Sequence, residues 1–146
     1  MPASTILLLE SDGPTSESIA RILTDAGYTV TRGSDPDEAL TQAAAHQLLI
    51  LGSVSGPKAA VDVCREIRAT PAISAVPVMC ISSTESVEER IAFLEAGADD
   101  VISRFFDSRE LEARVEALLL RFQRSRDLAP FISTDGVTMH RARRTV

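Results

Sequence analysis

The sequence predicts an α/β fold: a doubly wound, five-stranded parallel sheet in (βα)5 order, with helices on both faces. Three observations predict it. Short leucine-rich or β-branched runs alternate five times with longer stretches whose apolar residues recur at helical spacing. One run, LLIL at residues 48–51, is apolar without a break, as a central strand covered on both faces should be. Glycines stand where helical stretches stop, at Gly27 and Gly97.

TILLL, residues 5–9, is the first strand, and residues 14–26 are the first helix, with Ile19, Ile22 and Leu23 on one face. Residues 28–31 and 35–45 form the second strand and helix, Pro36 suiting a first helical turn. Residues 48–51 lead into a helix over 58–69. Residues 76–81 precede a helix over 87–96, opened by a capping box of Ser86 and Glu89. Residues 101–103 precede a helix over 111–122, opened by a second box, Asp107 and Glu110. Beyond Gln123 the pattern fails. RSRDLAPF reads as a linker, and ISTDGVTMHRARRTV alternates like the start of a hairpin in a further unit. The expected division is a domain over 1–124, then a linker and the opening of a truncated downstream domain over 125–146.

Composition excludes several function classes. A net charge of −6 and a pI near 4.9 argue against nucleic-acid binding by this fragment, since neutralising phosphates needs a basic surface. One tyrosine and no tryptophan leave no stacking platform for bases or flavins. That also weighs against a flavodoxin-like redox protein, although the hydroxyl-rich loop DGPTSES could cradle a phosphate. Cys64 and Cys80 lie in apolar segments and read as buried reduced thiols. His46 and His140 have no ligand-like spacing, and MPASTILLLES has neither a basic start nor a long apolar run, so a cytoplasmic chain with no membrane contact is expected.

The five units, the acidic end of the first strand, and above all AGADDVISRFFDSRELEARV together resemble the receiver domain of bacterial two-component response regulators, over residues 5–124. The resemblance implies the flavodoxin-like receiver fold. In such domains an acidic pair after the first strand holds Mg²⁺, and an aspartate ending the third strand accepts a phosphoryl group. A Thr or Ser ending the fourth strand reads its arrival, and a Lys ending the fifth neutralises charge. Here Glu10 takes the first acidic position and Ser11 the second, with Asp12 one residue on. Gly52 falls at the acceptor aspartate, in a register fixed by HQLLIL before it and VCREIR after it. Ser82 matches the hydroxyl and Arg104 the lysine; Phe105 replaces the proline that usually follows, and Val101 the aromatic that usually rotates inward on activation. An acyl phosphate needs a carboxylate nucleophile. The pocket is therefore expected to be degenerate and vacant, with no catalytic residue, metal or cofactor. Ser53 is no substitute, because alternation along a strand turns it away from the side of residue 52. Glu10 and Asp12 are expected to be solvated or paired with Arg104.

The face formed by the fourth helix, fifth strand and fifth helix matches the surface through which OmpR/PhoB-type receivers pair about a twofold axis. The matching charges are Arg90 with Glu110, Asp100 with Arg114, and Asp99 with Arg121, around Ile91, Leu94 and Ala113. The tail GVTMHRARRTV resembles the opening strands of a winged-helix DNA-binding domain. The resemblance implies a phosphorylation-independent regulatory module, not an enzyme, that forms a homodimer and controls its own C-terminal effector, with a protein or small-ligand regulator as input. The alternative is a docking or localisation domain of a MinD/ParA-like pilus-assembly ATPase of the TadZ/CpaE type.

Overall fold

Ten principal elements alternate along the chain in the computed structural model, which describes residues 4–56 and 59–135, with side chains through Arg124: β1 (Thr5–Leu9), α1 (Gly13–Asp25), β2 (Thr29–Gly33), α2 (Pro36–Gln42), β3 (Leu48–Leu51), α3 (Ala60–Ala69), β4 (Val78–Ser82), α4 (Val87–Glu95), β5 (Asp100–Ser103) and α5 (Ser108–Asp135). The strands form one parallel sheet in the order β2-β1-β3-β4-β5. This is the five-stranded, flavodoxin-like receiver fold that the sequence predicts.

Alternation along the strands divides the core into two. Leu7, Leu9, Leu49, Leu51 and Cys80 point to one face, against Val63, Cys64 and Ile67 of α3 and Phe93 of α4. Ile6, Leu8, Leu48, Ile50 and Met79 point to the other, against Ile19 and Leu23 of α1 and Leu111, Val115 and Leu118 of α5. All four residues of β3 are buried, which explains why LLIL shows no polar alternation. Strand order reverses between β1 and β3, and in open parallel sheets the crevice at such a reversal, beyond the strands' carboxyl ends, is where ligands sit. Both cysteines are buried and free.

The boundaries differ from the sequence reading where local bonds outweigh pattern. α2 ends at Gln42 and passes into a 3-10 turn, Ala43–Ala45. It opens with a complete Asp35–Glu38 capping box, which the sequence reading overlooks. The Asp107–Glu110 pair does not form one: Asp107 accepts from the Arg109 amide and guanidinium, and Glu110 turns to Arg114. Helix α3 begins at Ala60, and Lys58, read as its start, lies outside the described residues. The backbone of α5 continues as helix through residues 124–131, read as a linker because the helical pattern fails after Gln123, and past Pro130 to Asp135. A helix already nucleated and anchored extends with one added bond per residue, and here that outweighs the missing proline N–H. Residues 136–146, the proposed winged-helix opening, lie outside the described residues.

Arg68, near the C-terminal end of α3, fastens this helix to the sheet. Its guanidinium donates to the carbonyls of Gly97 (2.9 Å), Ser74 (3.0 Å) and Val76 (2.6 Å) and to Asp99 Oδ2 (2.8 Å). The same Asp99 oxygen accepts the Val78 amide at 2.9 Å. Arg68→Ala should cost about 2–3 kcal/mol in urea unfolding, because it strands a partly buried carboxylate and three carbonyls.

Candidate functional site

The reversal between β1 and β3 sets two residues side by side. Leu9 pairs with Leu51, so the next residues, Glu10 and Gly52, leave the sheet together, and the Gly52 amide donates to the Leu9 carbonyl at 2.8 Å. Glu10 is buried, and its carboxylate bends into the space beside Gly52. A Cβ placed on Gly52 would overlap Glu10 Oε1 and stand 2.9 Å from its Cδ. Glu10 Oε2 accepts the Asp12 amide at 2.9 Å and a short bond from the Ser53 hydroxyl, and Oε1 accepts the Ser53 amide at 3.3 Å.

Ser53 thus faces the cleft, contrary to the expectation from strand alternation. β3 ends at Leu51, and past a strand's last residue the two-residue period no longer governs direction. The single Ser53 hydroxyl proton goes to Glu10, so Ser11 Oγ is the donor in its 2.9 Å contact with Ser53 Oγ. The Ser11 amide also donates to the Ser53 carbonyl at 2.8 Å. The loops after β1 and β3 are therefore tied to one another.

Asp12 has a different task. It caps α1, accepting from the Thr15 amide and hydroxyl, and sits 3.8 Å from the Arg104 guanidinium. The Thr15 bonds, with a smaller contribution from the charge on Arg104, hold its carboxyl below the ordinary aspartate range. The expected pairing with Arg104 is thus made by Asp12, while Glu10 bonds to Ser53. Arg104 is placed by its amide, which donates to the Ser82 carbonyl at 3.0 Å, and it lies 5.7 Å from the Phe105 ring centre. Phe105 itself is 69% exposed, and Val101 is buried in β5.

The cleft is not vacant. What remains between Glu10, Ser53, Ser82, Ser83 and Arg104 is a cavity of about 40 Å³, room for roughly one water. Ser82 is buried and donates its hydroxyl to the Thr84 carbonyl at 3.0 Å. No group of three or more His, Cys, Asp or Glu among the described residues could hold a metal ion. A Mg²⁺ site needs available carboxylate oxygens; Glu10 offers oxygens already bonded to protein, and Asp12 is engaged as a helix cap. The residues present do not fit the ion that the family resemblance implies.

The loop after β4 has its own fastening. Glu89 accepts four hydrogen bonds at 2.9–3.2 Å, from the amides and hydroxyls of Ser83 and Thr84. Half of the predicted capping box exists: Ser86 Oγ accepts the Glu89 amide at 3.3 Å, but the Glu89 side chain goes to the loop instead. Partial burial pushes the Glu89 carboxyl up, and the Ser83 and Thr84 bonds outweigh it, leaving it below the ordinary glutamate range.

On the face of α4, β5 and α5, several charges are engaged within one chain. Asp99 is held by Arg68. Arg114 binds Asp100 at 3.0 and 3.1 Å and Glu110 at 3.0 Å. Burial alone would lower the Arg114 pKa, but the two carboxylates raise it on balance. Arg90 donates to the Glu85 carbonyl at 3.4 Å, and Arg121 lies over its neighbour Phe122. Ala113 lines a groove of about 450 Å³ beside Asp100, Arg114 and Arg121. Ile91 and Leu94 are 47% and 51% exposed, and Val87, one turn earlier, is 52% exposed and completes an apolar stripe. Sequence reasoning missed Arg68 and Val87, and it gave Ser53 and Glu89 other places than the loop fastenings they make. Of these only Val87 carried a signal, the helical spacing 87, 91, 94.

Fold, strand order and the residues at the sheet's carboxyl edge define a class. The chain belongs to the response regulator receiver domain family, whose pattern matches residues 6–116. It is 36% identical over 136 residues to the response regulator MprA of Mycobacterium ulcerans (strain Agy99), covering 92% of this chain and 56% of that protein. To MprA of Mycobacterium leprae (strain TN) it is 36% identical over 118 residues, covering 80% and 51%. The chain thus spans about half the length of the curated relatives it matches. Among solved structures, the BeF3-activated N-terminal receiver domain of Klebsiella pneumoniae RstA superposes with a TM-score of 0.72 at 26% identity, over 79% of this chain and 97% of that one. NtrX from Brucella abortus gives 0.78 at 25% identity, over 88% and 29%.

The Glu89 fastening makes a pH prediction. A carboxyl whose folded pKa is depressed contributes stability above its unfolded pKa and loses it as pH falls through the folded value. The protection factors of the Ser83 and Thr84 amides, taken against the intrinsic exchange rate at each pH, should therefore fall on acidification below about pH 4.5, the ordinary glutamate value. Glu89→Gln should be less protected already at pH 7, show no such acid step, and lose about 1 kcal/mol of stability.

Proposed function

We propose that this chain is a receiver that works without aspartyl phosphate. It is a regulatory module of a bacterial signalling protein, with no catalytic role, that pairs with a second copy through α4, β5 and α5. In this reading it governs a downstream output domain, a winged-helix DNA-binding domain of the OmpR/PhoB kind. The observation that carries the reading is the exchange at the sheet's carboxyl edge. The position that the family resemblance gives to the acceptor is a glycine, and the carboxylate beside it belongs to Glu10 and is hydrogen-bonded to protein through both oxygens. Glycine offers no nucleophile for an acyl phosphate, and the remaining cavity of about 40 Å³ does not admit a phosphoryl group on Glu10.

Support for pairing comes from the stripe of Val87, Ile91 and Leu94. Each side chain is about half exposed, so covering it yields about 1 kcal/mol, or roughly 6 kcal/mol for both copies. Association costs at least ~4 kcal/mol. The dimer is accordingly weak and concentration-dependent. Charges give it register more than strength, because Asp99, Asp100, Glu110 and Arg114 already have partners within the chain. Support for the output domain comes from the alignment with MprA of M. ulcerans. That alignment covers 92% of this chain and only 56% of the relative, which leaves the relative a further part for a receiver to govern.

Two measurements test the proposal. Incubated with acetyl phosphate and MgCl₂, the protein should keep its intact mass; stoichiometric gain of one phosphate would refute phosphorylation independence. In sedimentation, the weight-average mass should rise with concentration for the natural chain and stay monomeric for Ile91→Asp/Leu94→Asp. A natural chain that stays monomeric at every concentration would refute the pairing.

A further inference from the structure

Gly52 is a glycine for a reason its backbone does not supply. Among the described residues, left-handed φ values occur at Gly27, Gly56 and Gly97, and Gly52 is not one of them. Its backbone would accept any L-residue, as it must wherever an aspartate stands there. What refuses a side chain is space, and the atoms filling that space are Glu10 Oε1 and Cδ, with Ile81 Cδ1 next at 3.4 Å.

Glu10 could vacate the site only at a cost. It is buried, and its two oxygens satisfy the Asp12 amide, the Ser53 amide and the Ser53 hydroxyl. Swinging it outward leaves these donors without an acceptor at the mouth of the cleft. In place, it joins the loop after β1 to the loop after β3, beside the direct Ser11–Ser53 bonds.

Resting on the reading above, we infer that Glu10 and Gly52 are an interlocking pair, in which the Glu10 carboxylate occupies the acceptor's room as an internal bolt. The acceptor's own room is then filled, not merely deprived of its nucleophile, and the pocket of about 220 Å³ beside it, lined by Gly52, Ser53, Ser83 and Glu89, does not include Glu10 in its wall. The two loops move as one body. Glu10 is a positioning residue for Asp12 and Ser53.

The test is a double-mutant cycle on the full chain, read by amide exchange at Asp12 and Ser53, the two backbone donors to Glu10. Gly52→Ala displaces the bolt and should speed exchange at both amides about tenfold, as should Glu10→Ala, the change expected when a hydrogen bond of about 1.4 kcal/mol is lost. In the Glu10→Ala background the added Gly52→Ala should produce no further acceleration, because the methyl then enters empty space. If Gly52→Ala alone lowers the urea midpoint, the double variant should recover the midpoint of Glu10→Ala. Unchanged exchange in Gly52→Ala, or two effects that multiply in the double variant, would overturn the inference. Either result leaves the functional reading standing, whereas phosphate uptake by the natural chain would sink that reading without touching the cycle.

Discussion

One space at the carboxyl edge of the sheet cannot hold two side chains. Because β1 and β3 are neighbours in register, the residues just beyond them share a single volume, and here Glu10 takes it and Gly52 yields it. A buried carboxylate needs donors, which fixes the loops around it. The Ser53 hydroxyl turns inward, the Asp12 amide turns toward β1, and Ser11 bonds across to Ser53. With Glu10 so engaged, Asp12 is left to cap α1 and to face Arg104 at 3.8 Å. Glu10, Asp12, Ser82 and Arg104 each have a partner within the chain.

The same logic extends toward the output face. Ser82 and Glu89 both bond within the loop after β4, and Glu89 belongs to α4, the helix carrying Val87, Ile91 and Leu94. The loop after β4 is thereby pinned to the first turn of α4. Arg68 and Asp99 hold the turn between α4 and β5 from the other side. The apolar stripe is therefore presented by a rigid frame, and its exposure does not depend on events in the cleft. In the proposed reading, regulation of such a module acts on pairing, through abundance or a competing partner at the stripe.

Much of the fold was legible because periodicity alone encodes it. The LLIL run, short and bounded, fits a strand buried on both faces, and the spacing of Ile19, Ile22 and Leu23 fits a helix face. Which residues gather at the cleft was legible too, since the ends of β1, β3, β4 and β5 follow from register. Their rearrangement was not. Nothing in the letters Glu10 and Gly52 says that one side chain enters the other's room, because that arises from strand adjacency between residues far apart in the chain. Ser53 was misjudged by extending alternation one step past the strand's end. The Asp107–Glu110 box failed because Arg109 and Arg114 compete for those carboxylates, a competition that spacing cannot weigh. Asp99 read as a partner of Arg121 across a dimer face because its partner within the chain, Arg68, lies on a different element, at the end of α3.

The most direct measurement is a crystal structure of the natural chain grown in MgCl₂ and beryllofluoride. The account predicts Glu10 folded beside Gly52, bonded to the Asp12 and Ser53 amides, with no anion and no metal in the cleft. Beryllofluoride or Mg²⁺ seated between Ser82 and Arg104, with Glu10 turned outward, would contradict it.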